Sequence, residues 1–157
     1  MECTITFTLS VLVLGLCACS SGDMPKTSDP LEDMRRDIAA LEARAEHDAE
    51  QVVVSHILIG FKDAPRLRDV TRTLAEAEQL AADLCARIKA GEDFGGLKGE
   101  YSDDSGRGTY PMTRASRGGM VPGFGNVGWR LEVGEVGVAP HHATKSPYGW
   151  HIIKRME

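Results

Sequence analysis

Val52-Val53-Val54-Ser55-His56-Ile57-Leu58-Ile59 is apolar on both faces and rich in β-branched residues, the pattern of a strand covered on either side. Gly60 ends it. A counterpart closes the chain, Gly149-Trp150-His151-Ile152-Ile153-Lys154-Arg155. Each run carries one histidine, His56 and His151, and pairing of the two strands lets both imidazoles share one face. Between them, Thr73-Leu74-Ala75-Glu76 has the form of a capping box that opens a helix. Ala77, Leu80, Ala81, Leu84 and Ile88 give that helix its apolar stripe, Arg87 and Lys89 suit its C-terminal dipole, and Gly91 is its cap. Phe94, Leu97 and Tyr101 predict a second, short helix after Asp93, and Pro122 opens a third that contains Phe124, Val127 and Leu131. Val136 to Ala139 reads as a further short strand. Thirteen of the 17 glycines fall between Gly91 and Gly137, so this half of the domain depends on its turns. Strands at both ends with helices between them make residues 52–157 an α+β domain.

The whole chain has 157 residues, room for one such domain and a stem. With 26% charged and 42% hydrophobic residues it is neither a disordered chain nor a multi-span membrane protein. The net charge of −5 is unevenly placed. Residues 24–51 hold 4 basic and 8 acidic side chains, whereas residues 52–157 hold 14 and 13. A nearly neutral domain behind an acidic stem lacks the dense basic face that nucleic acid requires. Of the four cysteines, Cys3, Cys17 and Cys19 precede the domain and only Cys85 lies in it, on the helical stripe, where it reads as a small buried hydrophobe. No Cys/His spacing suits zinc, and His141-His142 reads as an exposed loop pair, so no metal is expected. Lys62, Arg66, Arg68 and Arg72 fall in a loop read as solvated.

Ile5 to Ala18 is apolar, too short to span a membrane comfortably, and followed by Ser20-Ser21-Gly22-Asp23. Residues 1–18 therefore read as a signal peptide. Leu16-Cys17-Ala18-Cys19 resembles the lipobox of bacterial lipoproteins, and Cys19, behind the small Ala18, is the residue to be acylated. Residues 19–51 then form a linker and a spacer helix. Leu31, Met34, Ile38, Leu41 and Ala45 recur at spacings of 3 and 4, a short seam on which weak self-association through residues 31–45 is a secondary expectation.

Six segments, in order, carry a resemblance: Val54-Ser-His-Ile-Leu-Ile59, Gly91-Glu-Asp-Phe94, Tyr101-Ser-Asp-Asp-Ser105, Arg117-Gly-Gly-Met-Val-Pro-Gly-Phe124, Leu131-Glu-Val-Gly-Glu-Val136 and Tyr148-Gly-Trp-His-Ile-Ile-Lys154. In order and spacing they resemble the parvulin family of peptidyl-prolyl cis-trans isomerases, over the whole of residues 52–157. The resemblance implies a parvulin-like domain of the FKBP-like superfold, a four-stranded antiparallel sheet surrounded by three to four helices. It implies His56, Asp104, His151 and Ser146 as catalytic positions, and Met120, Phe124 and Tyr148 as substrate-binding ones. The family's Gly-Gly-Asp-Leu-Gly turn, whose leucine enters the pocket, is missing. The chain reads Gly106-Arg-Gly-Thr-Tyr-Pro-Met-Thr-Arg114 there, and either Tyr110 or Met112 takes the leucine's place.

Rotating an X-Pro imide needs no nucleophile, metal or cofactor, only a pocket that binds the twisted form better than the planar ones. The expectation is a prolyl isomerase that acts on proline-containing polypeptides, held by its lipid anchor in the bacterial cell envelope, at the outer membrane or periplasmic face. The alternative is a non-catalytic module of the same fold that binds peptides or acts as a chaperone. The anchor has a direct test. Membrane fractionation of Cys19→Ala and Cys17→Ala is expected to show loss of membrane-bound protein in the former alone. Unchanged fractionation of Cys19→Ala would remove the lipoprotein reading.

Overall fold

In a computed structural model, which describes residues 29–106 and 108–157, the first strand, β1, runs over Gln51–Ile59 and is buried along almost its full length. It is the second strand of a sheet with spatial order β2-β1-β4-β3, where β2 is Tyr110–Thr113, β3 is Val136–Ala139 and β4 is Trp150–Arg155. All neighbours are antiparallel. The sheet is the four-stranded one that the resemblance implied, and four α-helices surround it: α1 (Pro30–Glu42), α2 (Leu74–Lys89), α3 (Phe94–Tyr101) and α4 (Pro122–Gly128).

Alternation along β1 separates two cores. Ile57 and Ile59 point to the α2 side with Ala77, Ala81 and Leu84, while Val52 and Val54 point to the α4 side with Phe124, Trp129 and Leu131. In β4, Ile152 belongs to the first core and Ile153 to the second. Helix α2 forms as its sequence dictates. Thr73 Oγ1 accepts from Glu76 N at 3.2 Å, and Glu76 Oε2 accepts from Thr73 N at 2.7 Å. Gly91, at φ +97°, lies just past its end.

Three expectations change. Strand β2 is absent from the pattern reading, because Tyr-Pro-Met-Thr contains a proline. The sheet tolerates Pro111 because β2 is an edge strand. The third helix stops at Gly128, so Leu131 enters the core from the turn that follows, not from the helix. The spacer helix ends at Glu42 and is docked on its own domain. Met34 and Leu41 are 1% and 6% exposed, and Leu31 and Ile38 pack beside Met34 against the α2-side core. Arg35 pairs with Glu78 at 2.9 Å, Asp37 with Lys89, and Arg44 with Glu135 at 2.6 Å. The seam assigned to weak self-association over residues 31–45 is thus covered by α2 and β3, since burying apolar area within the chain competes with burying it between chains. Residues 1–18, read above as a signal peptide, and Cys19 lie outside the described residues.

Two glycines give the fold a test of opposite signs. Gly149, at φ +141°, leads into β4 so closely that a Cβ would lie 2.1 Å from the Ile59 carbonyl oxygen. Gly149→Ala is expected to destabilise by about 3 kcal/mol or more in urea melts. Gly99 sits exposed within α3, and a methyl added there would meet nothing within 4 Å. Gly99→Ala is expected to stabilise by up to about 1 kcal/mol. Equal effects of the two substitutions would contradict this packing.

Candidate functional site

The register of β1 and β4 pairs Leu58 with His151 and His56 with Ile153, so the two histidines are diagonal neighbours on the α4 face. Their rings lie nearly parallel, 10° apart, with Nδ1 to Nδ1 at 3.1 Å. His56 Nε2 reaches Asp104 Oδ2 at 2.7 Å.

Asp104 is presented by a loop fastened to the end of β1 that β2 leaves unpaired. Strand β2 pairs with β1 only as far as Val54, which leaves the edge groups beyond it without a strand partner. The loop supplies their partners. Leu58 N donates to Ser102 Oγ at 3.1 Å, Asp103 N donates to the Leu58 carbonyl at 2.8 Å, and Gly60 N donates to Asp103 Oδ2 at 2.7 Å. Arg72 closes on the same carboxylate oxygen. Asp103 is therefore a structural clasp, and its neighbour Asp104 faces inward.

Proton count orders the buried line. The Asp104 carboxyl is opposed by its partial burial, yet donors from Tyr110, His56 and Gly106 N together hold its pKa below the ordinary value. It is an ionised acceptor, so His56 Nε2 carries the proton between them. His56 Nδ1 then accepts, and His151 Nδ1 donates to it. Burial lowers the pKa of His56 against the pull of Asp104. Burial, and then the neighbouring His56, push His151 down to about 3. Both rings are neutral near pH 7. His151 Nε2 is left as a buried nitrogen with no hydrogen-bond partner among the described residues.

A cleft of about 440 Å³ opens over this line. His56, Asp104, His151, Met120, Phe124 and Tyr148, all singled out in the sequence, line it together. Phe124 stands edge-on to His56 at 5.0 Å and to His151 at 5.7 Å. Arg66, from the loop after β1, lies over the Tyr148 ring at 5.8 Å.

Ser146 is not brought to the cleft. It is fully buried, and its hydroxyl donates to the Gly149 carbonyl at 3.2 Å, so it secures the turn before β4 and is not turned toward a ligand. Of the two candidates for the absent leucine, Tyr110 lines the cleft, whereas Met112 is fully buried in the core beneath α4. The sequence leaves that choice open because only the β2 register decides which way Tyr110 points. Val54 pairs with Tyr110, which puts its ring on the histidine face. His141 packs against Phe61 and Trp150, and the ring of His142 accepts from Thr144 N within its own turn.

The arrangement is a half-open apolar slot with one fixed anion and two neutral imidazoles at its base. Such a site binds a small apolar ring and places polarity beside it, without a nucleophile activated for attack.

Comparison with known proteins agrees with this geometry. A family model described as the PPIC-type PPIase domain matches residues 38–157. The chaperone SurA of Chromohalobacter salexigens is 39% identical over 105 residues, covering 64% of this chain and 21% of that protein. The foldase protein PrsA of Geobacillus kaustophilus is 30% identical over 141 residues, covering 84% of this chain and 41% of its own length. The chain thus spans less than half the length of these curated relatives. Among solved structures, the peptidyl-prolyl isomerase Ess1 from Candida albicans superposes with a TM-score of 0.59 at 26% identity, covering 80% of this chain and 76% of that one.

The neutral imidazoles generate a pH prediction. His151 is depressed from an ordinary 6.5 to about 3, so the unfolded chain takes up a proton before the folded one. Its contribution is fully present above pH 6.5 and is lost as pH falls toward 3, by at most about 1.4 kcal/mol per pH unit. Urea midpoints are expected to drop between pH 6.5 and 5, and the drop is expected to be shallower in His151→Gln. A His151 ring seen by NMR to protonate near pH 6.5 would overturn the assignment.

Proposed function

This chain belongs to the parvulin family of PPIC-type peptidyl-prolyl isomerase domains, and we propose that it catalyses cis-trans isomerisation of X-Pro bonds in polypeptide substrates. The observation that carries the reading is the unbroken line Asp104, His56, His151 beneath a cleft walled by Phe124, Met120 and Tyr110.

Uncatalysed, the bond turns over in tens to hundreds of seconds, because twisting it removes amide resonance. Reaching milliseconds requires about 10⁵-fold, or roughly 7 kcal/mol. Differential binding can supply it. The proline ring enters the apolar slot against Phe124 and Met120, which fixes one side of the imide. The planar imide places negative charge on its carbonyl oxygen, and the twisted imide does not. An ionised Asp104 beside that oxygen disfavours the planar form relative to the twisted one. The histidines keep Asp104 and its surroundings oriented and, being neutral, add no competing positive charge. Met120, Phe124 and Tyr148 act as substrate-binding walls in this reading, Asp104 as the catalytic residue, and His56 and His151 as positioning residues.

SurA is named a chaperone and PrsA a foldase, which supports unfolded or folding polypeptides as the substrate class. Anchoring through Cys19 in the bacterial cell envelope is part of the same proposal and rests on the leader sequence. No helix among the described residues is long and apolar enough to cross a membrane.

A protease-coupled assay on proline peptides tests the mechanism. Phe124→Ala is expected to weaken both binding and rate. Asp104→Ala is expected to lower catalysed isomerisation by about 10–100-fold while peptide affinity holds or rises, because the carboxylate works against the planar ground state. Full activity in Asp104→Ala removes its catalytic assignment. A parent protein that binds peptides without accelerating isomerisation makes the peptide-binding module the better account.

A further inference from the structure

We propose that Tyr110 is a positioning residue of the isomerisation, acting through Asp104, a role that rests on the isomerase reading above. Tyr110 stands where the sequence leaves the family's glycine-rich turn.

Its ring is fixed before its hydroxyl acts. The pairing of Val54 with Tyr110 puts the side chain on the histidine face of the sheet. There it stands edge-on to His56 at 5.1 Å, interplanar 86°, and edge-on to Phe124 at 5.6 Å. Two perpendicular ring contacts on an edge strand leave the phenol little rotational freedom. From that position its hydroxyl donates to Asp104 Oδ2 at 2.7 Å.

The same oxygen receives His56 Nε2 at 2.7 Å, and Gly106 N donates to Oδ1 at 2.8 Å. Three donors from β1, β2 and the Asp104 loop itself therefore set the plane of one carboxylate. The Asp104 side chain is 29% exposed, so it is open to water on its remaining side. His56 and His151 are neutral, and the other carboxylate nearby, Asp103, is tied to Arg72 and Gly60 N. Lys98 of α3, the ammonium whose charge reaches His56, donates to Ser55 Oγ at 3.1 Å and to the Gly108 carbonyl at 2.7 Å. Arg66 lies on the cleft rim over Tyr148. Among the described residues around the cleft, Tyr110 is thus the one side-chain hydroxyl that grips the Asp104 anion directly.

Holding matters because the carboxylate works by where its charge sits. An anion that swings toward water stabilises its own solvation and loses its grip on the imide. The phenol keeps the charge aimed into the cleft and favours the ionised form, since its hydrogen bond to a carboxylate is stronger than to a neutral carboxyl group. Its ring is also a wall of the slot, so ring and hydroxyl have separable duties.

Tyr110→Phe separates them, keeping the ring and deleting the donor. In the full chain, kcat on a proline peptide is expected to fall about tenfold near neutral pH with KM unchanged or lowered, the loss typical of one hydrogen bond to a charged group. The acid limb of kcat/KM is expected to move to higher pH, a shift that a purely structural loss would not produce. In an Asp104→Asn background, Tyr110→Phe is expected to bring no further loss, because the partner it serves is already neutral. An unchanged kcat and pH profile in Tyr110→Phe would overturn the proposal, as would an equal loss in the Asp104→Asn background. Should the parent show no isomerase activity, the functional reading fails first. NMR titration of the Asp104 carboxyl carbon then decides the Tyr110 link by itself: an upward move of its midpoint in Tyr110→Phe sustains the grip, and an unmoved midpoint abolishes it.

Discussion

The β1–β4 register is the constraint on which the site rests. With Leu58 opposite His151 and His56 opposite Ile153, both imidazoles fall on the face covered by α4. A slip of one residue in either strand would send its histidine to the α2 side, into a core of alanine, leucine and isoleucine without a polar partner. The register is protected by what lies on each face. Ile57, Ile59 and Ile152 are fully buried on one side, and Val54 and Ile153 on the other, so any slip exposes or misplaces both sets. The tight approach of Gly149 to Ile59 further limits where β4 can begin.

Asp104 reaches the histidines by a different route, through the unequal lengths of β1 and β2. Nine residues of β1 face only four of β2, and the edge groups of Leu58 and of Gly60 just after the strand would otherwise be left unpaired. Ser102 and Asp103 fill that edge with a side-chain oxygen, a backbone amide and a carboxylate. The loop is thus held by strand-like hydrogen bonds without being a strand, and the next residue turns its carboxylate inward. Backbone satisfaction and site assembly are achieved by the same three residues.

How far the sequence could be read follows from which forces are local. Helix α2 was legible because its cap, stripe and C-terminal glycine are all set by neighbours in sequence. β1 and β4 were legible because burial on both faces leaves a continuous apolar run. β2 was not, since four residues with a proline satisfy no periodic pattern, and only the sheet edge makes them a strand. The seam on α1 was visible, but periodicity says that a face is apolar without saying what covers it. Here α2 and β3 do. Within the site, the resemblance carried His56, Asp104, His151, Met120, Phe124 and Tyr148 to one cleft. Ser146, which the resemblance implied beside them, lies off the cleft with its hydroxyl turned to its own loop. Tyr110 had no signal beyond the missing turn, because the direction of a side chain on an edge strand is fixed by long-range pairing.

The electrostatic character of the cleft follows from where its protons are allowed to be. A single anion at Asp104 could be balanced by protonating His56, which would form an ion pair and cancel the net charge at the base of the cleft. Burial opposes that protonation in His56 and still more in His151, which sits deeper and beside another imidazole. The charge on Asp104 is instead spread over neutral donors: the His56 N–H, the Tyr110 hydroxyl and the Gly106 amide. Neutral donors orient a carboxylate and keep it ionised without extinguishing its charge. A reaction whose transition state differs from its ground state by a loss of carbonyl polarity is favoured, on the mechanism proposed above, by an anion that is held and left negative. A buried strand histidine, whose cost of charging is set by the sheet around it, orients such an anion without neutralising it.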